Sequence, residues 1–159
     1  MRQLILACVF LLLPTVVVTT PADTIDFRLE DHRWEHRLLF VFAPSDTNEA
    51  LAQQEDVAEG HDPGFRERDL LVLTVVGQSQ GTQRAAPGAE PQPLMAAAAR
   101  GLRERFDVLR GAFRVVLAGK DGTEKCRGAE PFPVRSLFDT IDAMPMRQRE
   151  MREQDGGGE

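Results

Sequence analysis

Apolar residues are grouped along the chain into a few short runs. Leu38 to Phe42 is unbroken and ends at Ala43-Pro44-Ser45-Asp46. A continuous run of this length predicts a strand covered on both faces, as in a parallel or mixed sheet. Asp69 to Val76 repeats the pattern. Between the two, Ser45 or Asp46 is placed to cap a helix running to about Glu59, with Ala50, Leu51, Val57 and Ala58 as its apolar side. Two glycines and a proline in Gly60 to Gly64 break it. Strand, helix and strand at this spacing predict a right-handed parallel unit. Upstream, Ile25, Phe27 and Leu29 alternate with Asp26 and Arg28, the pattern of a half-buried extended segment. Glu30 to His36 is polar around Trp34 and reads as a turn that Trp34 anchors in the core.

Downstream, Gln78 to Pro93 is rich in Gly, Gln, Ala and Pro without apolar periodicity, and is expected as a flexible surface insertion. Met95, Ala99, Leu102 and Phe106 recur at helical spacing within 94–106. Phe113 to Ala118 is a third strand, turned by Gly119-Lys120-Asp121-Gly122 into a hairpin over Thr123 to Arg127. Val134, Leu137, Phe138 and Ile141 form the stripe of a last helix, which Pro145 ends or kinks. The remainder, 146–159, reads as a charged and glycine-rich tail. Its first residues continue as a helix, with Met144, Met146 and Met151 among charges either lying back on the domain, meeting a partner or facing solvent. The order predicts an α/β fold: a thioredoxin-like sandwich with a mixed central sheet flanked by helices, spanning 23–145.

Composition narrows the function classes. The chain of 159 residues is 42% hydrophobic and 28% charged, ordinary for one domain. Its formal net charge of −6, with no basic patch interleaved with aromatics, argues against nucleic acid as a partner. Residues 1–22 carry Arg2, an apolar run from Leu4 to Leu13 and a small-residue site at Thr20-Pro21-Ala22. That is the pattern of a cleaved signal peptide, and it predicts a periplasmic or secreted protein with no stable membrane span after cleavage. An uncleaved N-terminal anchor is the alternative. Of the two cysteines, Cys8 leaves with the leader and Cys126 remains. The mature chain therefore has no internal disulfide, no Cys-x-x-Cys and no cysteine-based zinc site.

Three groups of residues carry a resemblance. They are Arg33-Trp34 with Arg37 to Pro44, then Gly119-Lys120-Asp121-Gly122, then Ile141 to Arg147 with Arg149-Glu150-Met151-Arg152. Together they resemble a bacterial family of unknown function, domain-of-unknown-function family 4174. That family is similar to the peroxiredoxin-like domain of animal sushi-repeat-containing extracellular proteins. The resemblance covers nearly all of the mature chain and implies a thioredoxin-like sheet and an exported protein. It establishes no chemistry.

Thioredoxin-like folds place their redox cysteines after the first buried strand, where a helix N-terminus lowers a thiol pKa. Here that place holds Pro44, Ser45, Asp46 and Thr47. A hydroxyl cannot replace the thiolate in attack on a disulfide or peroxide. The facing loop, which carries a cis-proline in such folds, is Gly111-Ala112-Phe113 here. What these residues offer is a retained binding groove accepting an anion, or a plain helix cap. Arg33, Arg37, Arg110 and Arg114 would serve such a groove if they converged on it, and would otherwise form surface ion pairs with Glu30, Asp31, Glu35 and Asp107. Cys126, flanked by Lys125 and Arg127, would have a depressed pKa and could serve a one-cysteine peroxidase. The plainer reading is a bystander thiol on an edge strand. His32-Arg33-Trp34-Glu35-His36 matches an H-x-x-E-H zinc pattern, but it occupies a single turn before a strand and lacks a third ligand. No metal or cofactor is expected. The expected function is a non-catalytic binding module whose partner is a protein or a small anionic ligand.

Overall fold

The computed structural model describes residues 24–156, so the leader expected at 1–22 lies outside the described residues. Six strands form one mixed sheet in the order β4-β3-β2-β1-β5-β6. β1 is Arg37–Ala43 and β2 is Leu70–Val76. They pair in parallel, with Phe40 opposite Leu73. β5 (Arg114–Ala118) runs antiparallel to β1 on its other side, and β6 (Glu124–Gly128) completes the expected hairpin.

The unbroken apolar run of β1 has the meaning the pattern predicts. Alternate side chains enter opposite cores because strand side chains point to opposite faces in turn. Leu38, Phe40 and Phe42 join Leu71, Leu73 and Val75 under α3 (Ala96–Arg105), with Phe27 and Leu29 from the N-terminal segment. Leu39, Val41 and Ala43 join Leu51, Phe65, Leu137 and Ile141 beneath α1 (Glu49–Ala58), α2 (Asp62–Glu67) and α4 (Val134–Asp142). All seven residues of β1 are buried.

Four local expectations are corrected. The helix after β1 begins at Glu49, and its cap is Asn48, whose Oδ1 accepts the Leu51 N–H at 3.1 Å. Ser45 and Asp46 lie instead in a turn, closed by the Asn48 N–H on the Ser45 carbonyl, with the Ser45 and Thr47 hydroxyls bonded to each other. The breaker at Gly60 does end α1, but Pro63 sits in the first turn of a new helix, α2, where a proline's missing N–H is tolerated. The stretch 78–93 is not an insertion lacking regular structure. It supplies β3 (Gln80–Arg84) and β4 (Gln92–Pro93), which extend the sheet beyond β2, and Ala86 between them is fully buried. Pro145 begins a separate helix, α5 (Pro145–Gly156), whose first turns are held to the domain through Arg147 and Glu150 while 152–156 are exposed.

The cap assignment is testable by urea unfolding. Asn48→Ala is expected to lower stability by about 1 kcal/mol, the usual value of an N-cap. Ser45→Ala is expected to change it by less than about 0.5 kcal/mol, as for a surface substitution.

Candidate functional site

The two ends of β1 have different chemistry. At its carboxyl end lies the turn Pro44 to Thr47, half-buried at Pro44 and Ser45 and exposed at Asp46 and Thr47. Phe42 pairs with Arg114, and the same register brings Phe113 and Ala112 towards Ala43 and Pro44. The structure therefore puts the turn, Ala112, Phe113 and Arg114 at one end of the sheet. A residue the sequence pattern does not single out dominates this end. Arg103 on α3 is 6% exposed and donates from Nη2 to the Ala43 carbonyl at 2.6 Å and from Nη1 to the Leu109 carbonyl at 3.1 Å. It satisfies carbonyls where β1 leaves the sheet, and its guanidinium lies 5.5 Å from the Phe42 ring centroid. Arg110 is exposed beside it in a shallow cleft with Gln78, Glu104 and Asp107.

Cys126 sits on β6, opposite Leu117, half-buried and away from this turn. Its thiol is not activated by the flanking cations. Burial first, then the Glu124 carboxylate, push its pKa up against a backbone hydrogen bond from Leu117. Arg127, expected to lower it, is committed to Glu124 by two hydrogen bonds. Lys125 is likewise bonded to Asp121 at 2.7 Å.

The four arginines do not converge. Arg110 and Arg114 are at the carboxyl end of β1, while Arg33 and Arg37 are at its start, about 20 Å away at the usual rise per strand residue. Arg37 is 1% exposed. It donates to the Arg68 carbonyl at 2.9 Å and to both oxygens of Glu150 on α5. Lys120, in the hairpin turn, reaches the same carboxylate at 2.9 Å and Asp69 at 2.7 Å. Arg147, also 1% exposed, contacts Glu67 and Asp142. Arg68 holds Asp142 with two nitrogens, at 3.0 and 2.6 Å. Burial opposes ionisation of Asp142, but the Arg68 and Arg147 guanidiniums outweigh it and hold that carboxyl below the usual range. Four cations and four carboxylates are thus joined beneath α5, and each segment that carries the family resemblance contributes to this end of the sheet.

Trp34 is not a core anchor. It is 62% exposed, has φ of +69°, and its N–H is held by the Lys120 carbonyl at 2.6 Å. Beside it a cleft of 320 Å³ is lined by Gly119, Lys125, Met144, Pro145, Met146 and Arg149 among others. The neighbouring histidines form a pair, with His32 Nδ1 3.4 Å from His36 Nδ1 and the His32 ring stacked on Phe27 at 4.7 Å. Burial, then the His36 ring, lower the His32 pKa from 6.5, against the raising effect of Asp31 and Glu35. No third His, Cys, Asp or Glu completes a metal site with them among the described residues.

A further cleft of 530 Å³ opens between α1, α2 and the sheet over Leu39, Val41 and Val72. Its size is that of a ligand pocket. Its lining sets Glu55, Asp56, Glu59 and Asp62 against Arg84 alone, so it does not suit a small anion.

Two outcomes follow from this geometry. Arg37→Ala breaks a buried pair and is expected to cost about 3 kcal/mol in urea unfolding, whereas Arg33→Ala stays within about 0.5 kcal/mol. For His32, the unfolded chain takes up its proton first as pH falls below 6.5. The contribution of neutral His32 is therefore complete above that value and is lost as pH falls towards the lower folded pKa. The urea midpoint is expected to drop from pH 7.5 to 5, and His32→Gln to flatten that part of the profile.

The chain is 29% identical over 133 residues to coiled-coil domain-containing protein 80 of Danio rerio, covering 77% of this chain and 15% of that protein. It is 26% identical over 117 residues to sushi repeat-containing protein SRPX2 of Xenopus laevis, covering 74% of this chain and 25% of the relative. The chain thus spans a quarter or less of the length of these relatives. Among solved structures, thioredoxin peroxidase I of Plasmodium yoelii superposes with a TM-score of 0.55 at 17% identity, over 76% of this chain and 79% of that one. This likeness shows the thioredoxin-like fold. The model of the domain of unknown function DUF4174 matches residues 28–150, and the chain belongs to that family.

Proposed function

We propose that this protein is an exported, non-catalytic interaction module built on a thioredoxin-like fold. The observation that carries the reading is the turn after β1. Where a redox member of this fold needs a thiol at a helix N-terminus, the chain has Pro44, Ser45, Asp46 and Thr47, and the helix is capped by Asn48. Disulfide exchange and peroxide reduction both begin with thiolate attack. Cys126 is poorly suited to it, because burial and Glu124 favour the neutral thiol. Export is supported by the leader pattern of residues 1–22, and the periplasm or the exterior is the compartment such a leader serves. No helix among the described residues is long and apolar enough to cross a membrane. The partner on this reading is a protein, or a small anion near Arg110 and the Pro44 turn.

The competing reading is a one-cysteine peroxidase using Cys126, and one assay separates them. Hydrogen peroxide consumption with dithiothreitol as reductant is expected to match the reductant alone, with Cys126→Ser unchanged and no sulfenic acid trapped by dimedone. A rate above that background which Cys126→Ser abolishes, with dimedone labelling at Cys126, replaces the module by a peroxidase.

A further inference from the structure

Trp34 is the single tryptophan of the chain, and the fold keeps it out of the core. A left-handed φ is a genuine outlier for a bulky residue. Such backbone strain persists where surrounding structure over-determines it, and it clusters at functional positions. Here the constraints are visible. The Trp34 N–H is tied to Lys120, and Arg37, three residues on, is locked between the Arg68 carbonyl and Glu150. The indole is therefore displayed on a rigid base. Met144, Pro145 and Met146 line the cleft at its side. Tryptophan, methionine and arginine are the types enriched where proteins bind one another.

The charges around this cleft indicate the occupant. Arg37, Arg68, Lys120, Lys125 and Arg147 are each paired with a carboxylate. Arg33, whose guanidinium carbon is 5.9 Å from the Trp34 ring centroid, has no carboxylate partner among the described residues. The same holds for Arg149 in the cleft wall and for Arg152 one turn along α5. On a chain of net charge −6, unpaired cations beside an exposed indole and two methionines form a local reversal of sign. We infer that the Trp34 cleft is the docking surface of the module and receives an acidic segment of a partner protein. An apolar side chain of that segment enters beside Trp34, and flanking carboxylates meet Arg33 and Arg149.

This inference rests on the interaction-module reading and assigns its surface. It places recognition at the start of β1, at the opposite end of the strand from the Pro44 turn. The test is selection of a displayed random dodecapeptide library on the purified protein, followed by titration of the protein into the enriched peptides, fluorescein-labelled, with fluorescence anisotropy as the readout. The expected result is enrichment of peptides combining Asp or Glu with one large apolar residue. Trp34→Gly, which keeps the left-handed backbone, and Arg149→Glu are each expected to weaken their binding at least about tenfold, as for a hot-spot residue. Far-ultraviolet circular dichroism and the urea midpoint confirm that both variants fold. Enrichment of nothing, of basic peptides, or of peptides indifferent to both substitutions overturns the inference. Peptides whose binding is lost with substitutions at Asp46 and Arg110 overturn it too, while leaving the module reading intact. Failure of the module reading itself is read separately, as Cys126-dependent peroxide consumption.

Discussion

One carboxylate holds together the start of the sheet. Glu150 on α5 accepts from Arg37 on β1, lies 2.9 Å from Lys120 of the hairpin turn, and is 3.8 Å from Arg147 Nη1 on its own helix. Burying an arginine is expensive unless its donors are matched, and Arg37 and Arg147 are both almost fully buried. Glu150 therefore does more than close a surface pair. It permits β1 to begin with a charged residue inside the fold, and it fastens α5 to the hairpin and the central strand at once. Asp142 does the same one step away, joining Arg68 to Arg147. α5 has no apolar stripe to hold it, and Arg147 is its buried residue. Its position is set by charge.

The consequence is a molecule whose two sheet ends have diverged in character. At the carboxyl end of β1 the backbone is finished by Arg103, a buried cation whose two Nη atoms donate to carbonyls while its Nε has no partner among the described residues, and by a turn of small polar residues. That turn carries hydroxyls and a carboxylate, and no thiol. At the start of β1, neutralised charges form a stiff platform. This platform spends its charges on one another, with the Asp142 carboxyl held below the usual range by Arg68 and Arg147. It is well suited to fixing neighbouring side chains in place, as it does for Trp34.

Elements defined by apolar pattern were legible in the sequence. The run Leu38 to Phe42 announces a strand buried on both faces, and the spacing of the next run announces the parallel pairing of β1 with β2. The α4 stripe of Val134, Leu137 and Ile141 is equally plain. What stayed hidden depends on long-range partners. β3 and β4 are polar, half-exposed strands whose existence is decided by the free edge of β2. The pattern leaves open whether α5 packs on the domain, because its stabilising contacts are with Arg37, Glu67 and Lys120, between 30 and 113 positions away. Arg37 reads as a groove cation because proximity in sequence to β1 does not say at which end a side chain is consumed. Trp34 reads as a core anchor on hydrophobicity alone, and its exposure follows from backbone geometry that a pattern does not encode.

Exposure of Trp34 also constrains how the platform is to be understood. Fully burying a large apolar side chain is worth about 1.5–3 kcal/mol, and a left-handed bulky residue costs of order 1–3 kcal/mol more. A fold optimised for stability alone would turn the indole inward, and a glycine at this position would remove the strain. Arg33 over the ring recovers little, since a cation–π contact at an exposed site is worth about 0.5–1 kcal/mol. The balance favours a side chain retained for what it meets outside the domain. An ion network that holds the start of β1, the hairpin turn and α5 rigid reduces the ordering cost that a partner would otherwise meet on binding.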